Sequence, residues 1–119
     1  MGWSFSGDRP VYLQIAQRIK MMVLSGTFAP GAQLPSVRQL ALDAAVNPNT
    51  VQHAFMELEQ AGIIRSQGTL GRFVTEDTAV IEACRQELAQ QYVQAFLQNL
   101  AHLGIGIEQA VTMIKEAKP

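Results

Sequence analysis

A gap of two residues restricts the fold more than any other feature of this chain. Helical patterning runs through Ser36-Val37-Arg38-Gln39-Leu40-Ala41-Leu42-Asp43-Ala44-Ala45 and resumes at Pro48, with only Val46 and Asn47 between. Two helices joined so tightly cross at a steep angle, which makes the pair a helix-turn-helix. Ser36 is the expected cap of the first helix, and Leu40, Ala41 and Ala44 form its inner side. For the second, Asn47 can accept from the free amides of the first turn, and Pro48 gives up an N–H that has no partner there. Val51, Ala54, Phe55, Leu58 and Ala61 recur at helical spacing as a core stripe, and Gly62 supplies the stop.

Directly after Gly62 the pattern changes period. Ile63-Ile64-Arg65-Ser66 and Arg72-Phe73-Val74-Thr75 are β-prone segments flanking Gln67-Gly68-Thr69-Leu70-Gly71, whose glycines permit positive φ in a turn. A helix-turn-helix followed at once by such a hairpin is a winged helix. The expected fold is mainly α with a small β-hairpin wing. Residues 1–76 are expected to form a winged helix-turn-helix DNA-binding domain, and residues 77–119 a two-helix dimerisation tail.

Asn49, Thr50, Gln52 and His53 fall off the core stripe within the first turn and a half of the second helix. A capped helix tip bearing short polar groups suits insertion into a major groove; the alternative is an ordinary solvated face. Asn47 and Thr50 suit backbone phosphate, whereas Asn49, Gln52 and His53 can reach base edges, where amides favour adenine. His53 also reads as a solvated surface residue. Arg38 sits in a first helical turn, against the helix dipole, so it needs another reason to be there, and its planar fork suits a phosphate or a guanine edge. The alternative is a surface pair with Asp43, which would contribute little. Ser36 joins this candidate set. In the wing, Gln67, Gly68 and Thr69 can approach a minor groove or a phosphate, with Arg65 and Arg72 lending charge.

Five segments carry a family resemblance: Pro10-Val11-Tyr12-Leu13-Gln14-Ile15, Gly26-Thr27-Phe28-Ala29-Pro30-Gly31, Leu34-Pro35-Ser36-Val37-Arg38-Gln39-Leu40-Ala41, Asn47-Pro48-Asn49-Thr50-Val51 and Glu57-Leu58-Glu59-Gln60-Ala61-Gly62-Ile63-Ile64. In that order they resemble the N-terminal DNA-binding domain of the GntR family of bacterial transcription regulators, over roughly residues 8 to 75. The Asn-Pro-Asn-Thr-Val form with a short tail looks like the YtrA subfamily. The resemblance implies that Arg38 lies at the DNA and that the loop before Ser36 braces the helix-turn-helix, with Leu34 plugging the core. The wing departs from the common family pattern: Gly68-Thr69-Leu70-Gly71-Arg72-Phe73-Val74 is one residue longer and has no Thr before Phe73.

On the N-terminal side, Met1 to Asp8 is a polar lead whose Trp3 and Phe5 are expected to cover the core or a dimer seam. A scaffold helix from Pro10 to about Ser25 places Tyr12, Ile15, Ile19 and Met22 on its inner side. On the C-terminal side, a longer helix from about Thr78, its expected cap, to Leu103 carries Ile81, Cys84, Leu88, Tyr92, Phe96, Leu100 and Leu103 along one side. Gly104-Ile105-Gly106 breaks it, and a short final helix turns Ile107, Ala110, Val111 and Ile114 inward. The surplus apolar surface predicts a homodimer on a palindromic DNA operator, with half-sites about one helical turn, roughly 34 Å, apart.

Charge divides the same way. Residues 1–75 hold six basic against four acidic side chains, and residues 76–119 hold three basic against six acidic, within an overall charge of −1. Mild positive charge on the winged helix limits non-specific attraction to phosphate. Lone Cys84 has no disulfide partner, and reads as a small apolar residue or, less simply, a redox sensor. No nucleophile with a base, phosphate loop or metal-ligand spacing is visible, so the chain reads as a non-enzyme without cofactor or metal. With no membrane span or leader, it is expected in the cytoplasm. The predicted function is a DNA-binding repressor. The alternatives are a winged-helix protein interaction module, or a regulator sensing a small lipophilic compound through the tail, where Tyr92 and Phe96 would line a pocket; any small-molecule effector is left unnamed.

Overall fold

The computed structural model describes residues 2–119; Met1, the first residue of the expected lead, lies outside the described residues. Pro10, with φ −55°, sets up the first helix, α1 (Val11–Leu24). Its buried side runs through Ile15, Ala16, Ile19, Val23 and Leu24. Four-residue steps from Ile15 to Ile19 to Val23 rotate Met22 off the contact, so Met22 and Tyr12, expected on this side, are only half-buried. Before α1, the Gln14 amide ties down the lead: its Nε2 donates to the carbonyls of Ser6 and Arg9, both at 2.8 Å. The Ser6 hydroxyl donates to the Asp8 carboxylate and holds it below the usual carboxylate pKa. Trp3 packs at 6.0 Å from Phe5 and under the Arg18 guanidinium of α1, so the aromatics cover scaffold.

The helix-turn-helix comprises α2 (Val37–Ala44) and α3 (Pro48–Gln60), and both α1 and α2 pack on α3. On α3, Val51, Ala54, Phe55 and Leu58 are sealed from solvent. Ala61, expected on that stripe, is exposed because the helix has already ended beneath it. Strands β1 (Ile64–Ser66) and β2 (Arg72–Val74) pair antiparallel, with Arg65 opposite Phe73, around a 3-10 turn at Gly68–Leu70. A third leg covers the far edge of β2. Leu34 N–H donates to Arg72 O at 2.9 Å, Val74 N–H donates to Ala32 O at 2.8 Å, and Gln33 bridges Phe73. The loop before α2 thus closes an otherwise open sheet edge and delivers Leu34 to the core.

The fourth helix, α4 (Thr78–Ala101), is capped by Asp77 and not by Thr78. Asp77 Oδ1 accepts from Ala79 N–H at 3.0 Å, and Thr78 is already the first helical residue. The chain divides into two compact units inside this helix, between Ala83 and Cys84. Ile81, the first of the apolar residues along the long helix from which a dimer is expected, falls in the first unit and is already buried in the single chain, unlike the exposed side chains farther along. In the second unit α4 is followed by a turn closed at left-handed Gly104, and then by α5 (Ile107–Glu116). Of the side chains expected to turn inward on α5, Ala110 is buried, but Ile107, Val111 and Ile114 are exposed, because the single chain supplies no apolar surface to cover them.

Candidate nucleic-acid interface

The tip of α3 follows from local chemistry. Asn47 Oδ1 accepts from Asn49 N–H at 2.8 Å, Pro48 occupies the first helical position, and Thr50 N–H donates to Asn47 O at 2.9 Å. The Asn47 oxygen is therefore committed to the helix, leaving its NH₂ as the group available to a ligand. Asn49, Gln52 and His53 are exposed and Thr50 is half-buried. The start of α2 is capped reciprocally: Ser36 Oγ accepts from Gln39 N–H at 3.1 Å while Gln39 Oε1 accepts from Ser36 N–H at 3.3 Å. Arg38 projects from that capped turn as an exposed side chain, with no hydrogen bond or ion pair to Asp43 or to any other of the described residues.

These elements converge on one cleft of about 770 Å³. Ser36, Arg38 and Gln39 line it from the start of α2, Gln52 from α3, and Thr69 and Arg72 from the wing. Asn47, Asn49, Thr50, His53, Arg65, Gln67 and Gly68 lie outside its lining. The wing turn is held in place across the cleft. Gln33 Nε2 donates to Leu70 O at 2.6 Å, and Gly71, at φ 112°, leaves only 3.2 Å between an added Cβ and that nitrogen. Any other residue at position 71 would be strained and would push on the brace.

Besides the capping Ser36 and Asn47, five of the candidate side chains, His53, Arg65, Gln67, Arg72 and Gln52, are engaged within the protein. The His53 ring stacks on Tyr12 at 3.5 Å with an interplanar angle of 4°, so one face of the imidazole is covered by α1. Arg65 donates to Gln67 Oε1 at 2.8 Å and approaches Glu76 at 3.6 Å. Arg72 turns back to α3, with Nε on Glu59 Oε1 at 3.1 Å, one NH₂ on Gln52 Oε1 at 3.0 Å, and the guanidinium over the Phe55 ring at 5.2 Å. Sequence reasoning overlooked Gln33, Gln39, Glu59 and Tyr12. Gln39 was visible as the fourth residue of a capping box, and Glu59 lies seven residues after Gln52 on the same helical face. Gln33 and Tyr12 act across long sequence distances and leave no local signature.

The family model for bacterial regulatory proteins of the gntR type matches residues 11–74, more than half of the chain. The chain belongs to the gntR family. This gntR regulator is 37% identical over 109 residues to the HTH-type transcriptional repressor YtrA of Bacillus subtilis, covering 90% of this chain and 83% of that protein. Its identity to the HTH-type transcriptional regulator YhcF of the same organism is 32% over 111 residues, 93% and 92% of the two chains. Among solved structures, a GntR family transcriptional regulator from Listeria monocytogenes superimposes with a TM-score of 0.87 at 35% identity, covering 96% of this chain and all of that one. The DNA-binding domain of AraR in complex with operator ORX1 gives a TM-score of 0.58 at 25% identity over 60% of this chain and 93% of that one. The chain is thus a winged helix-turn-helix transcription regulator with YtrA homologues, and its family and relatives are not enzymes. Among the described residues, no three His, Cys, Asp or Glu side chains group as metal ligands, and no helix is long and apolar enough to cross a membrane.

Proposed function

We propose that this gntR regulator acts as a homodimeric repressor that binds a palindromic operator in the cytoplasm. The observation that carries the proposal is the cleft itself: the unpaired Arg38, the capped start of α2, Gln52 of α3 and the wing residue Thr69 all open onto it. In this reading, Asn49, Gln52 and His53 meet base edges, and Asn47, Thr50, Ser36 and Arg38 hold phosphate or a guanine edge. Gln67, Gly68 and Thr69 follow the neighbouring backbone, with Arg65 adding charge and Arg72 acting at the wing from its pair with Glu59. The similarity to the AraR DNA-binding domain in complex with its operator supports operator DNA as the partner class, and the similarity to the repressor YtrA of B. subtilis supports repression.

The dimer is supported by the tail, where Tyr92, Phe96, Leu103, Val111 and Ile114 are large apolar side chains left exposed in the single chain, beside half-buried Cys84, Leu88 and Leu100. An apolar face of that extent on a monomer would invite association, and two-fold pairing is the commonest closed solution. The test is selection of random duplexes by the full chain, followed by binding of the enriched sequence to Arg38→Ala at fixed salt. Enrichment of an inverted repeat and a loss of roughly tenfold or more in affinity for Arg38→Ala are expected, since a charge-assisted contact of this kind contributes about 1–3 kcal/mol. An enriched motif without inverted symmetry would overturn the palindromic dimer, and wild-type affinity in Arg38→Ala would remove Arg38 from the interface.

A further inference from the structure

Arg72 stands in the wing, yet its guanidinium is held from three sides by α3. Gln52, Phe55 and Glu59 lie on one face of that helix, and they supply respectively an amide oxygen at 3.0 Å, an aromatic face at 5.2 Å and a carboxylate oxygen at 3.1 Å. The Arg72 and Glu59 side chains are only 25% and 31% exposed, so this clamp is partly shielded from water, whereas Gln52 is exposed at the mouth of the cleft. Phe55 is core and Glu59 is charge-paired, so the position of Arg72 does not depend on Gln52. The dependence runs the other way.

An arginine has donors only. The Gln52 side-chain atom facing it must therefore be the oxygen, and the amide's NH₂ is turned away from Arg72. A glutamine reads adenine by accepting from N6 and donating to N7 at once. Here the oxygen, which has two lone pairs, would have to share itself between N6 and the charge-assisted bond from Arg72, the stronger type of hydrogen bond, whereas the NH₂ carries no such competing claim. Guanine presents two acceptors, N7 and O6, at the same groove edge. We infer that Arg72, clamped by Glu59 and Phe55, is a positioning residue that fixes the polarity of the Gln52 amide, so that Gln52 displays donors and selects guanine, where an unconstrained glutamine would select adenine. The inference rests on the operator-binding reading above and deepens it by assigning a specificity to one side chain of α3.

The experiment is duplex selection with the full-length wild type, Gln52→Ala and Arg72→Met under the same salt. Gln52→Ala identifies the base pair that Gln52 reads, as the one whose preference flattens; if none flattens, Gln52 does not read a base and the inference falls. In the wild-type motif that pair should be G·C in either orientation, and A·T there overturns the inference. Arg72→Met removes the donor while leaving an apolar side chain to lie on Phe55. Overall affinity drops, and the preference at the mapped pair should move toward A·T by roughly tenfold relative to wild type; an unmoved preference overturns the inference. A second measurement needs no variant in the clamp. Replacing the mapped guanine by 7-deazaguanine removes the N7 acceptor, and should weaken the wild type several-fold while leaving Gln52→Ala indifferent; an indifferent wild type overturns the inference. Absence of any enriched motif removes the regulator reading and this inference together, whereas a clear motif with A·T at the mapped pair removes only the latter.

Discussion

The two units of this chain solve the problem of burying apolar surface in opposite ways. Every buried apolar side chain among the described residues except Ala110 lies in the first unit, from Ile15 on α1 to Ile81 at the start of α4. That unit closes its own core: α1 and α2 pack on α3, the hairpin follows, and the 32–34 leg seals the sheet edge. The second unit carries most of the large exposed apolar side chains, Phe96, Leu103, Ile107, Val111 and Ile114 among them, in 36 residues. Two helices bury little area between them, and the surplus stays exposed in the single chain. The first unit is self-sufficient in its core; the second would be completed by the pairing proposed above.

The contrast can be broken or sharpened by substitution. The largest effect is expected for Phe55→Ala, which empties the centre of the first unit and removes the ring beneath Arg72; a loss of about 3–5 kcal/mol should appear in denaturant unfolding. A small loss there would mean that the first unit does not depend on its own core. Next comes Phe96→Glu, which places a charge on the exposed apolar face of α4. Self-association measured by sedimentation should weaken roughly tenfold or more, with unfolding of the winged helix unchanged. An unaltered association constant would move the seam elsewhere.

A smaller change of opposite sign is expected at the turn of the helix-turn-helix. Three helices end with the same closing bond, from the N–H of the residue after the left-handed position to a carbonyl five residues earlier: Val46 to Ala41, Ile63 to Leu58 and Ile105 to Leu100. The left-handed residue is glycine at Gly62 and Gly104, but at the first it is Ala45, with φ 55°. A Cβ in that conformation costs about 1–2 kcal/mol, so Ala45→Gly should raise stability by roughly 1 kcal/mol, seen as a higher melting temperature. The smallest effect belongs to Glu76→Gln. Its pair with Arg65 is at 3.6 Å and the two side chains are 40% and 75% exposed, so unfolding should shift by less than about 0.5 kcal/mol. A larger loss would mark the edge of the wing as part of the core.

Legibility followed the range of the interactions. The capped starts of α2 and α3, the Gly62 and Gly104 stops and the wing glycines were readable because each depends on residues within a turn of one another. The start of α4 misled because Thr78 and Asp77 are both acceptable caps, and the carboxylate takes the position. The left-handed Ala45 was invisible because alanine gives no signal for it; the short link to α3 imposes it.

What the sequence determined on its own was the order and identity of the elements, since helix periodicity, caps and breaking glycines act through neighbours along the chain. What only the tertiary structure decided was the state of the candidate contact side chains: Arg38 left unpaired, His53 stacked on Tyr12, and Gln52 held by Arg72 from twenty positions away. Hydrogen bonds and ring contacts between distant residues exist only after α1, α3 and the wing have packed. The orientation of a polar group is therefore a property of the assembled fold and not of the segment that carries it.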